Sequence, residues 1–461
     1  MDIFHILSFI GGLCLFLFGM SVMGRSLEKR AGNKLKKFIS KLTDNKLLGL
    51  LVGTVTTAII QSSSATTVLV VGLVNSGIMT LGQSIYVIMG ANIGTTITSW
   101  ILSLSGISSS NIFIKLLKPS SFSPILALVG IILFMFFKSE NKKEVGTIFL
   151  GFAVLMFGME TMSSSVSSLK EVDWFRNLFL MFDSNPLLGV VAGLGVTAII
   201  QSSSASVGIL QAFATTGQIS FGAAIPIILG QNIGTCATSM ISSIGTNKNA
   251  KRASMVHLLF NVIGTAVFLV AFLLVKWIID PVILSESASL TGIALVHTTF
   301  NIVSVLIMLP FGKLLEKLVT RIVKDKKEVT VIELDERLLA TPSIALNQAK
   351  NKLIEMGEEI SSALNLAFKS MDSNEEEISK HENRTDELED IVSSYLVKLS
   401  SEEIDKQTSI RVVAYLKSLN DFERIADYLV NIAKKKTIIE RDEVTFSDDA
   451  KEEMKLLLEK L

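Results

Sequence analysis

The nine residues "TAIIQSSSA" occur at 57–65 and again, unchanged, at 197–205. Both copies sit inside long apolar runs, where a polar group without a hydrogen-bond partner is costly. Outward from them the likeness continues. Residues 45–99 align with 185–239 at a constant offset of 140, without a gap. "NKLLG" (45–49) answers "NPLLG" (185–189), and "GANIGTTITS" (90–99) answers "GQNIGTCATS" (230–239). Upstream, "GLCLFLFGM" (12–20) is similar to "GFAVLMFGM" (151–159). The chain therefore carries a duplicated unit: an apolar helix, a QSSSA segment, then an NIGT segment.

The 461 residues are 49% hydrophobic, too apolar for an ordinary soluble enzyme. Several apolar runs reach the roughly 20 residues that cross a bilayer as helix. The first, 3–24, follows an acid and has neither a basic leader nor an A-x-A cleavage site, so it reads as a retained helix. Net charge is zero, yet the charges are dense only after about residue 311. This divides the chain into a membrane part, 1–312, a linker, 313–339, and a soluble part, 340–461. Repeat one covers about 3–104 and repeat two about 145–245. The two cysteines, Cys14 and Cys236, lie in apolar segments and read as small core residues.

Loop charge sets the orientation. Loops 25–46, 138–143, 248–252 and 313–327 are rich in Lys and Arg, whereas those holding Lys115 and Lys118, Lys170 and Arg176, and Lys276 are poor. The positive-inside rule puts the basic set in the cytoplasm. Seven crossings follow, near 3–24, 78–104, 122–138, 145–168, 218–245, 253–278 and 288–311, with the N-terminus outside and the C-terminal part cytoplasmic. The two FGM helices are then three crossings apart and run in opposite directions, so the repeat is inverted. This count requires that the QSSSA segments not cross. The arm 47–60 gives about 21 Å of helix against a core of about 30 Å. The spacing predicts two re-entrant hairpins, 47–76 from the cytoplasm and 187–216 from outside, with polar tips at mid-depth.

Inverted repeats with interrupted helices at the midplane point to a secondary transporter rather than an enzyme. A helix that starts just after a polar break has first-turn N–H groups without internal partners and a positive dipole end. Three serines beside it add hydroxyls that donate and accept. The two tips thus read as an anion cradle, and the same oxygens suit sodium. Glycines flanking Asn92 and Asn232 predict two broken helices opposite the tips. The QSSSA and NIGT segments hold no Arg, Lys, Asp or Glu, so a bound anion needs a co-bound cation, and sodium fits better than a proton. The plainer reading of these polar segments is interhelical glue. A second repeated pattern, "VHLLFN" (256–261) and "VHTTFN" (296–301), puts His257 with Asn261, and His297 with Asn301, on shared helix faces. They read either as a shell that orients the broken helices or as simple interhelical hydrogen bonding.

Paired QSSS motifs in an inverted repeat, each followed by N-I-G-T, resemble the type II sodium–phosphate cotransporter family and its bacterial branch. The resemblance covers nearly all of 1–312. It implies phosphate as substrate, sodium as coupling ion, and a site between the tips. Carried over, phosphate falls on Gln61, Ser62, Ser63, Ser64, Gln201, Ser202, Ser203 and Ser204. Sodium falls on Gln61, Asn92, Thr95, Gln201, Asn232 and Thr235.

In the soluble part, 340–436 shows three amphipathic helical patterns and 448–461 a further one. "NDFERIADYLVNIA" (420–433), with "ENRTDELED" (382–390) upstream, resembles the PhoU domain. That family's acidic E-x-x-x-D motifs imply metal at Glu382, Asp386, Glu423 and Asp427, against the plainer reading of a solvated acidic face. The tail is shorter than the family's two three-helix repeats, which implies an incomplete domain.

The expectation is an all-α membrane protein, an inverted repeat with two re-entrant hairpins and two broken helices, plus a cytoplasmic helical bundle. It would move phosphate with sodium by alternating access in an inner or plasma membrane. Expected partners are phosphate, sodium, the bilayer and a second copy of the chain, without nucleic acid. The rival readings are a sodium-coupled carboxylate transporter, and a phosphate exporter or sensor regulated by the PhoU-like part.

Overall fold

In the computed structural model, the described residues are 3–42, 45–107, 118–324, 334–340, 342–369, 374–402 and 404–460. Lys115, Lys326 and Lys327, used above for loop charge, lie outside them, as does most of the middle of the 313–339 linker. The chain forms two units, Met1–Lys327 and Glu328–Leu461.

Among the described residues, every extended element of the first unit is helical. Helix α1 is Ile3–Leu42, α2 Lys46–Ile60, α3 Ser63–Asn75, α4 Leu81–Ser103, α5 Pro119–Phe136, α6 Glu140–Val166 and α7 Asp173–Ser184. Then follow α8 Pro186–Ile200, α9 Ser203–Ala214, α10 Phe221–Gly234, α11 Cys236–Ser242, α12 Lys248–Ile278, α13 Leu290–Met308 and α14 Gly312–Ile322. Six described segments are long and apolar enough to cross a membrane: Ile3–Arg30, Leu81–Gly106, Glu140–Glu171, Phe221–Ser242, Lys248–Ile278 and Leu290–Ile322. One pair, α7 and α8, is bent by 113° and would make a seventh if counted as one span. The third crossing expected at 122–138 coincides with α5, whose apolar helix is shorter than those six. The 313–339 stretch read as a linker is helical in α14 and has a short 3-10 helix at Glu336–Ala340.

Close approaches fix the helix directions. A Cβ added to Gly12 would meet Gly158 and Met162, and one on Gly19 would meet Gly151 and Leu155. Higher numbers on α1 thus face lower numbers on α6, and the two FGM helices run antiparallel. Gly90 of α4 lies against Leu50, and Gly94 against Thr54, so α2 and α4 run parallel. Gly230 against Val190 and Gly234 against Leu194 repeat this for α8 and α10. Two consecutive arms can be parallel only if the chain reverses between them, and α3 and α9 are the reversing segments. Phe16, Leu155 and Met159 fill the α1–α6 seam, each at most 1% exposed.

The same glycines correct one expectation. Helix α4 runs without interruption through Gly90, Asn92 and Gly94, so the first of the two broken helices is absent. In repeat two the interruption is a single residue, Thr235, still in right-handed helical backbone at φ −58°, ψ −27°. The reason is steric. A Cβ on Gly90 would sit 2.0 Å from the Leu50 carbonyl oxygen, and one on Gly230 1.9 Å from that of Val190. The glycines let helices touch backbone to backbone, as small residues do in membrane bundles; they do not unwind them.

The second unit is a helical bundle of α15 Pro342–Lys369, α16 Glu375–Ser401 and α17 Lys406–Arg441, followed by α18 Asp448–Lys460. Leu388, Val392, Leu396, Leu399, Leu419 and Ala433, each at most 1% exposed, belong to its core.

Candidate functional site

Each QSSS segment is a helix end followed at once by a helix start. Gln61 closes α2 in the left-handed region at φ 61°, ψ 24°, and its N–H donates to the Thr57 carbonyl. Gln201 closes α8 at φ 59°, ψ 25°, with the same bond to Thr197. A left-handed glutamine costs roughly 1–2 kcal/mol, so the surrounding structure holds the chain in this conformation at both tips. Ser62 then caps α3 from extended backbone at φ −145°, ψ 106°, and Ser202 caps α9 at φ −145°, ψ 110°. The Ser62 hydroxyl accepts from the Ala65 N–H at 3.1 Å, and that of Ser202 from the Ala205 N–H at 3.2 Å. Accepting at the cap leaves each hydroxyl hydrogen free to donate outward.

The two tips meet. The Ser64 hydroxyl donates to the Gln201 carbonyl at 3.3 Å, across 137 residues of sequence. Ser63, Ser203 and Ser204 are buried, whereas Ser62 and Ser202 are partly exposed. Two residues that the sequence reading passed over complete the junction. Thr98 of α4 donates to the Gln61 side-chain oxygen at 2.9 Å, and Thr238 of α11 reaches the Gln201 carbonyl at 3.5 Å. They occupy the same place in "GANIGTTITS" and "GQNIGTCATS", so the repeat alignment contained the signal.

The expected sodium residues on α4, α10 and the turn after it are buried but do not touch the tips through their donors. Asn92 donates to the Ile88 carbonyl at 2.9 Å and Thr95 to that of Ala91 at 3.0 Å. Asn232 and Thr235 make the matching bonds to Ile228 and Gln231, at 2.8 and 2.9 Å. Tying the N–H and O–H ends to the helix leaves the oxygen lone pairs of these side chains as acceptors.

The His/Asn pairs pack on the NIGT segments. His297 Nδ1 lies 2.9 Å from the Ser99 hydroxyl, and His257 Nδ1 lies 3.0 Å from that of Ser239. Asn261 and Asn301 each donate to the carbonyl of the histidine one turn earlier, at 2.9 Å. Asn301 also reaches the Asn232 side-chain oxygen at 3.2 Å. Gln211, likewise unremarked in the sequence, donates to the Ser99 and Leu290 carbonyls and ties α9 to α4 and α13.

In the second unit, Asp386, Glu389 and Asp390 of α16 and Asn420 and Glu423 of α17 line a cleft of about 320 Å³. Burial, then the charges of Asp386 and Asp427, push the Glu382 carboxyl above its usual range. Burial, then Asp427, does the same to Asp386. Among the described residues, no three His, Cys, Asp or Glu side chains are placed to hold a metal ion. The arrangement of Glu382, Asp386, Glu423 and Asp427 therefore does not fit a resident metal and matches a solvated acidic face.

Comparison with known proteins bears on both units. The Na+/Pi-cotransporter family profile matches twice, over residues 15–164 and 154–304, and the PhoU domain profile matches residues 353–435. YjbB of Salmonella typhimurium, named provisionally as an inorganic phosphate export protein, is 24% identical over all of this chain and 83% of its own length. YqeW of Bacillus subtilis, an uncharacterized protein, is 28% identical over 70% of this chain and 99% of its own length. Human sodium-dependent phosphate transport protein 2B is 35% identical over 23% of this chain and 15% of its own length. No solved structure matches. Two successive matches spanning most of the membrane unit show that the chain belongs to the Na+/Pi-cotransporter family, with a PhoU domain in its C-terminal unit.

Proposed function

We propose that the chain exports inorganic phosphate from the cell, with sodium sharing the site and the PhoU domain regulating the flux. The observation that carries this reading is the contact of the two QSSS tips, Ser64 against Gln201 at 3.3 Å. The export direction is supported by YjbB, to which the whole chain is similar.

Phosphate lies between the tips. The free hydroxyl hydrogens of Ser62 and Ser202 donate to it, as do the first-turn N–H groups of α3 and α9, and both helix dipoles point positive ends at it. Ser63, Ser64, Ser203 and Ser204 supply further hydroxyls. No side chain of the tips is cationic, so sodium offsets the anion's charge from the oxygens of Gln61, Asn92, Thr95, Gln201, Asn232 and Thr235. His257, Asn261, His297 and Asn301 hold the NIGT segments in position and do not touch substrate. The antiparallel α1 and α6 and the reversals at Gln61 and Gln201 support an inverted repeat with two re-entrant hairpins. One repeat then moves against the other to open the site on alternate sides. The basic loops support a cytoplasmic C-terminal unit and an external N-terminus in the cell's inner or plasma membrane.

Inverted membrane vesicles, whose lumen corresponds to the outside, test direction and coupling together. Labelled phosphate should accumulate in them, and faster with sodium on the loading side. Accumulation only in right-side-out vesicles contradicts export. No accumulation in either, with any sodium arrangement, contradicts transport.

A further inference from the structure

We infer that the outer face of α17 is a self-complementary docking surface for the α17 of a second copy of this chain. The inference rests on the second unit alone and stands apart from the transport reading.

Helix α17 buries Leu419 completely. On the side away from it lie Ile410, Val413, Lys417, Asp421, Ile425 and Tyr428, all exposed and spaced three or four residues apart. Ile410, Val413 and Tyr428 are 59%, 52% and 57% exposed, and with Ile425 they put apolar side chains at both ends of one face. Among the described residues Lys417 and Asp421 make no ion pair within the chain.

The order of these residues is a palindrome of chemistry about Leu419. Apolar Ile410 mirrors apolar Tyr428, apolar Val413 mirrors apolar Ile425, and cationic Lys417 mirrors anionic Asp421. A two-fold axis across the helix at Leu419 brings a second α17 antiparallel to the first. Residue by residue, Ile410 then meets Tyr428 of the second copy, Val413 meets Ile425, and Lys417 meets Asp421, each contact occurring twice. Lys417 and Asp421 lie close to the axis, so the four charges alternate in sign at its centre while the apolar pairs close both ends. A parallel pairing would set Lys417 against Lys417 and Asp421 against Asp421, so the charges select the antiparallel register. Ile410 and Tyr428 are about 27 Å apart along one helix, which makes the pairing visible to short cross-links.

The full chain in native membranes, with Cys14→Ser to remove the exposed membrane thiol, carries the test. Under mild oxidation the I410C/Y428C double variant should give a disulfide-linked band at twice the 50.2 kDa chain mass, and neither single variant should. K417E in the same background should cut that band at least tenfold, because two like charges then face Asp421, and K417E/D421K should restore it. These side chains are exposed, so a thermal melt of each variant should stay within a few degrees of the parent. The surface assignment is overturned if the double variant stays monomeric, if a single variant cross-links equally, or if K417E leaves the band unchanged. It is equally overturned if the charge swap fails to restore the band, or if the linked species has the mass of another protein.

Discussion

The tips of repeat one and repeat two share a backbone and differ in their side-chain bonding. The two left-handed glutamines agree within a few degrees, as do the two serine caps. Yet Gln61 is 7% exposed and its side chain accepts from Thr98, while Gln201 is exposed and engages only its backbone N–H and carbonyl among the described residues. Behind the first tip, Thr57 donates to Thr66 at 3.0 Å. Their counterparts Thr197 and Ser206 are buried with hydroxyls that have no partner among the described residues. Repeat one is a bonded wall, and repeat two keeps polar groups in reserve.

The largest effects should be equal in the two repeats. Gly90→Val and Gly230→Val each drive a side chain into a carbonyl about 2 Å away, at 2.0 and 1.9 Å from the missing Cβ. Both should lose the monodisperse peak in size-exclusion chromatography, and a well-behaved G230V alone would break the equivalence of the seams. Next, Ser62→Ala and Ser202→Ala should each abolish phosphate flux while costing only about 1 kcal/mol of stability from the lost cap. Wild-type flux in both would remove the tips from the site. The repeats should then part company. Gln61→Leu should lower the melting temperature by an amount equivalent to about 1 kcal/mol, because Thr98 and the Ala58 carbonyl lose a partner. Gln201→Leu should change it little, and equal losses would refute the bonded-wall reading. The smallest difference concerns sign. Thr57→Val removes a buried bond worth roughly 0.6 kcal/mol. Thr197→Val removes an unpartnered hydroxyl and should be neutral or stabilising in the same melt.

Much of this is legible in the sequence. The duplication at an offset of 140 announces two equivalent tips, and the hydroxyl donor and acceptor chemistry of six serines follows from residue type alone. The helical membrane unit and the C-terminal bundle followed from hydropathy and charge. What the sequence hid was what a glycine does. Gly90 and Gly94 could mark either an unwound helix or a close seam, and only the position of Leu50 and Thr54 decides for the seam. Thr98 and Thr238 were hidden differently. A threonine inside a membrane helix ordinarily bonds back to its own turn, as Thr95 and Thr235 do. That two of them instead reach across to a tip depends on the left-handed glutamine, which no local pattern reveals. The acidic pairs on α16 and α17 had the spacing for a shared cation, yet convergence of three ligands is a property of packing and is absent among the described residues.

The central claim is that the two tips hold one phosphate together. Equilibrium binding of labelled phosphate to the purified full chain tests it through Ser62→Ala, Ser202→Ala and the double variant. If one anion bridges both tips, either single change should cost at least tenfold in affinity, and the double variant should be little worse than the poorer single. Effects that multiply independently, or affinity retained when one tip is altered, would contradict a shared site.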